Sequence, residues 1–159
     1  IFNNIGGITA GNAPGLNDGA VAMIVTTRKK AEELGVKPMA TVINAVSTGA
    51  NPRKLPIAPA VAIKKCLSEA NLTIDDMDIV EINEAFAVKI LACCRELEYS
   101  LDRTNILGGA LAYGHPYGAS GAIILLHLLK ALAQINGQKG IAAIGAVGGQ
   151  GVATLVERC

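Results

Sequence analysis

The stretch "GGALAYGHPYGASG", residues 108–121, decides how this 159-residue chain is read. Five glycines surround His115, one of only two histidines, and a proline follows it. Pro116 biases His115 towards extended backbone, and Gly114 permits the close approach of a neighbouring chain or ligand. A helical pattern starts inside the same stretch, so His115 stands just ahead of free helix N–H groups and a positive dipole end. An imidazole there can activate a thiol or donate a hydrogen bond to a developing oxyanion. It can equally be a turn histidine in a glycine-rich loop, and spacing alone leaves both readings open.

Working outward, a long helix is expected over about 119–136, because "GAIILLHLLKALAQI" (121–135) is apolar at helical spacing. His127 and Lys130 interrupt that run short of the eighteen or so apolar residues of a membrane span, so the helix reads as buried or amphipathic. His127 reads as a satisfied core or interface histidine. Before the glycine loop, "NILGGALAYG" (105–114) reads as a glycine-broken strand. After the helix, "GIAAIGAV" and "GVATLVER" read as two strands joined by "GGQG" (148–151) in a hairpin. "GAVGGQG" (145–151) lacks the spacing of a dinucleotide loop and precedes a strand instead of a helix.

Further upstream, "VAMIV" (21–25), "MATVINAVSTG" (39–49) and "DIVEI" (78–82) read as strands. Helices are expected at "TRKKAEELG" (27–35), after the proline-rich "NPRKLPIAP" (51–59) with Pro59 in the first turn, and at "EAFAVKILACCREL" (84–97), burying Phe86, Ile90 and Leu97. "TIDD" (73–76) reads as a capping-box turn. Strands alternating with helices predict an α/β fold, a mixed sheet with helices packed on it. Asn83 lies between a strand and a helix. It is either an N-cap or a polar group at a strand end, where α/β folds bind ligands.

Composition narrows the function. The chain is 51% hydrophobic and 17% charged, as expected of a well-buried globular protein. A net charge of +1 gives no electrostatic case for nucleic acid or an anionic membrane as partner. Cysteines at 66, 93, 94 and 159 form no CxxC, and two histidines argue against a zinc site, so no metal is expected. Reduced thiols fit a cytoplasmic setting, or an organelle matrix if a removed leading segment carried a targeting signal. The chain begins at Ile1 instead of methionine, which suggests processing or a longer parent.

Together, "TAGNAPGLNDGA" (9–20), "NEAF" (83–86), "GGALAYGHPYGASG" (108–121) and "GGQG" (148–151) resemble, in order and separation, the C-terminal half of a thiolase. The resemblance covers essentially the whole chain. It implies a thiolase-like α/β fold whose C-terminal half carries a mixed five-stranded sheet. Residues 1–36 would be the tail of the N-terminal domain and 37–159 the C-terminal domain. It also implies carbon–carbon bond formation or cleavage in 3-oxoacyl-CoA, with coenzyme A thioesters as substrates, no separate cofactor, and assembly into homo-oligomers. The nucleophilic cysteine would come from an N-terminal half, in cis or in trans.

By the same resemblance, His115 takes the role of the histidine that activates the cysteine and helps form an oxyanion hole. Asn83 holds a water there. Gly114 and Pro116 flank the coenzyme A thioester, and Val147, Gly148 and Gly149 form the oxyanion and substrate loop. Three positions depart from the family pattern. Gly145 stands where the acid–base cysteine belongs, a loss worth about 10²–10⁴ in rate. Val147 replaces a glycine, and a β-branched residue resists positive φ and would crowd the site. Pro14 replaces a serine that contacts the pantetheine arm, and supplies neither hydroxyl nor N–H. These departures support an alternative, a degenerate thiolase-fold subunit with a binding or assembly role.

Overall fold

The computed structural model describes residues 7–159, apart from the side chain of Leu55; residues 1–6 of the expected leading segment lie outside the described residues. Four strands form one sheet in the order β1-β4-β3-β2. They are β1 (Ala40–Gly49), β2 (Ile79–Ile82), β3 (Lys139–Ala146) and β4 (Gln150–Arg158). β4 pairs antiparallel with both β1 and β3, whereas β2 and β3 run parallel, so the sheet is mixed.

Five helices accompany it: α1 (Arg28–Glu33), α2 (Ala58–Glu69), α3 (Ala87–Leu97), α4 (Ala110–Tyr113) and α5 (Tyr117–Ile135). Alternation along the strands builds two cores. Val80, Ile82, Ile141, Ala143 and Leu155 face Ile63 and Leu67 of α2 and Ile90 and Cys93 of α3. On the other face, Ile79, Ala142 and Val156 pack on Ile124, Leu128 and Leu132 of α5. The helix–sheet–helix layering buries both faces of the parallel β2–β3 pair, as such a pair requires, while β1 stays largely exposed. Cys66, Cys93 and Cys94 are buried free thiols and Cys159 is an exposed one.

Several elements differ from the sequence reading. The sheet has four strands, not five, because 105–114 is not a strand. Asn105 has a φ of +50°, Gly108 one of +76°, and the segment then coils into α4. The Asn105 side chain replaces the missing ladder: the Ile82 N–H donates to its Oδ1 at 2.8 Å and its Nδ2 donates to the Ile82 carbonyl at 2.9 Å. Pairing with β2 is thereby reduced to the single bridge Val80–Thr104. Residues 21–25 form no strand either and do not join the sheet, and Ile24 is 96% exposed.

α3 starts at Ala87, leaving Phe86 extended at its N-cap and only half-buried. α5 begins two residues earlier than expected and runs 19 residues, with a mean hydropathy of 1.5 over its most apolar window. That length and apolarity match a membrane span, against the sequence reading. Its Ile124, Leu128 and Leu132 nevertheless pack on the sheet, as in the core helix of a layered protein.

Candidate active site

β2 and β3 lie parallel, so their carboxyl ends share one edge of the sheet, the place where open α/β sheets bind ligands. Asn83 follows β2 directly, and its N–H donates to the Ala143 carbonyl at 3.0 Å. Its side chain is buried and does not cap α3; its Nδ2 lies 3.1 Å from Nε2 of His115. The two sequence candidates, 32 residues apart, are therefore in direct contact.

The rest of the hydrogen-bond chain defines the state of the imidazole. The Ser120 hydroxyl, in the first turn of α5, donates to the Pro116 carbonyl at 3.0 Å. Having given up its proton there, it accepts from Nδ1 of His115 at 2.6 Å. His115 is thus the Nδ1–H tautomer, with the Nε2 lone pair turned to the Asn83 amide. Burial, followed by the positive charge of Lys89, holds the His115 pKa below the usual histidine value. A neutral imidazole that keeps a lone pair on Nε2 can act as a general base. The Tyr117 ring meets it edge-on, centroids 4.6 Å apart.

An upstream loop clamps this histidine. The His115 N–H donates to the Gly15 carbonyl at 2.9 Å, and Asn17 Nδ2 donates to the Tyr113 carbonyl at 3.0 Å. Gly114, at φ +94°, has no room for a side chain, since a Cβ would meet the Asn17 amide at 2.5 Å. Gly19 packs on the Pro116 ring, which a Cβ would strike at 2.6 Å. An open cleft of about 380 Å³ adjoins the clamp, lined by Asn17, Gly19, Val21, Pro116, Tyr117 and Gly118. Pro14, half-buried, precedes the clamp residue Gly15.

Gly145 is the next-to-last residue of β3, on the strand whose Ala143 binds Asn83. A Cβ there would lie 3.3 Å from Cδ of Pro59 and 3.5 Å from the Gln150 carbonyl, tight but accommodated by shifts of a few tenths of an ångström. Gly148 and Gly149 turn the hairpin with φ of +86° and +83°. Val147 does not adopt positive φ, and its side chain is 88% exposed, so neither the backbone conflict nor the crowding expected of it occurs within this chain. The Gly149 carbonyl accepts from the Ala50 N–H at 2.7 Å, and the Ala50 backbone leaves Gly149 no space for a Cβ.

Sequence reasoning missed Ser120, Glu84, Asn105, Glu81 and Lys89. Ser120 carried a signal: it lies five residues after His115, within reach across the first helical turn. Glu84 accepts from Asn105 Nδ2 at 3.0 Å and from the Leu111 N–H at 3.0 Å, joining the "NEAF" turn to the start of α4. A Cβ at Gly109 would meet that carboxylate, so a side chain there would displace Glu84 from these bonds. Glu81, buried in β2 with Oε1 unpaired among the described residues, is pushed up to about 8 by burial and then by the Glu84 charge. His127 is not the satisfied histidine expected: its Nδ1 is buried without a partner among the described residues, and its ring meets Tyr113 edge-on at 5.2 Å.

These geometries sit on a chain with extensive relatives. The family description "Thiolase, C-terminal domain" matches residues 36–158. An acetyl-CoA acetyltransferase of Syntrophomonas wolfei is 46% identical over 158 residues, covering 98% of this chain and 40% of the relative. A beta-ketoadipyl-CoA thiolase of Acinetobacter baylyi is 44% identical over 155 residues, covering 96% and 39%. Human mitochondrial 3-ketoacyl-CoA thiolase, in a crystal structure with CoA, superposes with a TM-score of 0.96 at 38% identity, over all of this chain and 40% of that one. The chain thus spans about 40% of the length of these relatives. With the domain match, the identities and the fold in agreement, the chain belongs to the thiolase family, as the C-terminal portion of a thiolase.

Proposed function

We propose that this chain supplies the base-bearing half of a thiolase-type acyl-CoA acyltransferase, acting on coenzyme A thioesters without a separate cofactor. The observation that carries the reading is the Asn83–His115 contact at 3.1 Å: Nδ1 is committed to Ser120, which leaves Nε2, now accepting from the Asn83 amide, as the atom that takes a proton. His115 removes the thiol proton of a cysteine supplied by an N-terminal half, in cis or in trans, beginning upstream of about residue 37. Asn83 and the imidazole then stabilise the charge that develops on the thioester oxygen, an effect worth several kcal/mol in a preorganised site. Pro14, Gly114 and Pro116 line the approach of the pantetheine arm, and Val147, Gly148 and Gly149 border the acyl group. The active species is an oligomer of complete subunits in the cytoplasm or an organelle matrix. The chain by itself performs neither thiolysis nor condensation.

The decisive experiment joins this chain to the N-terminal half of the Syntrophomonas relative and assays acetoacetyl-CoA cleavage. Activity above a His115→Ala control, with none from the 159-residue chain alone, supports the reading. Absence of acyl transfer to the cysteine in a folded joined protein overturns it. That result would favour the second reading, a binding or assembly subunit, for which Gly145 is the specific observation: β3 offers no titratable side chain at that position.

A further inference from the structure

Asn83 stands between two chain neighbours that side chains hold in place. Asn105 grips the residue before it: the Ile82 N–H donates to Asn105 Oδ1 at 2.8 Å, and Asn105 Nδ2 donates to the Ile82 carbonyl at 2.9 Å. The same Nδ2 donates at 3.0 Å to Oε1 of Glu84, the residue after Asn83. The other carboxylate oxygen of Glu84, Oε2, accepts from the Leu111 N–H at 3.0 Å. Leu111 belongs to α4, and α4 leads through Gly114 directly into His115. Glu84 therefore joins the residue beside Asn83 to the turn that carries His115.

The regular elements do not make this bridge. The β2–β3 register ends at Ile82, and α3 begins only at Ala87. Between them, the Asn83 N–H donates to the Ala143 carbonyl and the Ala85 N–H to the Asn83 carbonyl, which leaves the link to α4 to the Glu84 side chain. Gly109 makes room for it. Its backbone is extended at φ −156°, a conformation any residue adopts, yet a Cβ there would meet the Glu84 carboxylate. The missing side chain serves the carboxylate, not the backbone.

We propose that Glu84, braced by Asn105, is a positioning residue that sets the separation of Asn83 and His115. The inference deepens the function proposed above and rests on the roles given there to those two residues. They stand 32 residues apart and meet through one hydrogen bond between neutral side chains. Such a bond contributes no more than ordering a single residue's backbone costs. A carboxylate that accepts from both segments supplies the missing constraint, because hydrogen bonds to an ionised acceptor are the stronger ones.

The test uses two variants. Glu84→Gln keeps the shape but offers one acceptor oxygen to two donors, and Gly109→Ala pushes the carboxylate aside without removing it. In the 159-residue chain, nuclear magnetic resonance follows the Asn83 side-chain amide, which is buried and donates to Nε2. In both variants its proton shift moves and its exchange with water speeds up several-fold, while the Asn44 amide, held by the Cys66 carbonyl at 3.0 Å, does not change. An unmoved Asn83 amide in either folded variant overturns the proposal. Unfolding of both variants overturns it as well, because Glu84 then serves the fold and not the pair. In the joined protein, kcat for acetoacetyl-CoA cleavage falls in Glu84→Gln, by up to about 10²-fold as for a misplaced group, with KM nearly constant. The same substitution in Asn83→Ala costs nothing further, since both act on one contact; an equal additional loss overturns the proposal. An inactive joined protein removes the acyltransfer reading and leaves the amide measurement to decide the positioning, so the two ideas fail separately.

Discussion

At the scale of the residue, Glu81 and Gly145 show how local surroundings override side-chain type. A glutamate in a four-residue strand has no anionic role when burial and Glu84 push it up to about 8. The folded state holds its proton through neutral pH, while the unfolded chain releases it from about pH 4.3. The unfolded state therefore binds fewer protons across that interval, and stability falls as pH rises, levelling off above about pH 8. Urea midpoints taken at pH 6 and pH 8.5 are expected to drop by the equivalent of a few kcal/mol in the parent chain, and to show a much smaller drop in Glu81→Gln. Gly145 is the converse case, a position without chemistry where a side chain needs its neighbours to give by a few tenths of an ångström. Gly145→Cys in the protein joined to its N-terminal half is expected to raise condensation activity, read as acetoacetyl-CoA formed from acetyl-CoA. A gain of about 10²-fold or more fits restored acid–base transfer; no gain places the limiting defect elsewhere.

Elements built on periodicity were legible in the sequence, and those built on side-chain-to-backbone bonds were not. The apolar spacing of α2 and α5 and the β-branched runs of β1 and β4 follow from burying one face against the sheet, so pattern alone located them. The segment from Asn105 to Gly114 has a strand's composition yet folds into a bend and a helical turn, because one asparagine amide substitutes for the ladder beside Ile82. No periodicity reports such a bond. His115 and Asn83 were legible as candidates through their loop and strand-end positions. Lys89 was not, because a lysine in a helical pattern normally points to solvent. The clamp between residues 15–19 and 113–116 is an element in its own right, and Gly114→Ala tests it. The substitution combines an unfavourable φ with a collision at Asn17, so a loss of about 1–3 kcal/mol is expected in chemical denaturation. Gly118→Ala, where a Cβ meets nothing within 4 Å, is the matched control.

For the molecule as a whole, the proportion of relatives' length has a physical counterpart on the surface. Leu16, Ile24, Val25 and Val36 are all more than half exposed and cluster in the sequence ahead of β1. Exposed apolar surface of this kind marks an interface or an aggregation liability. Joining the N-terminal half is expected to raise the thermal midpoint of this portion by several degrees and reduce binding of a hydrophobic dye. An unchanged midpoint would mean that the two halves do not pack.

The clamp on His115 also has a kinetic meaning. Asn17 and Tyr113 are separated by 96 residues, so the contact closes a long loop. Such contacts carry a high entropic cost early in folding and are natural late events, while α5 and the β3–β4 hairpin assemble from near neighbours. The β1–β4 pairing joins residues just as distant. The clamp, however, rests on two hydrogen bonds to exposed residues, so the His115 loop is expected to open more easily than the sheet. Amide exchange at His115, whose N–H is tied to Gly15, would report that opening well before the sheet yields. Ordering of the His115 loop and folding of the sheet are then expected to be separate transitions, the first governed by the leading loop.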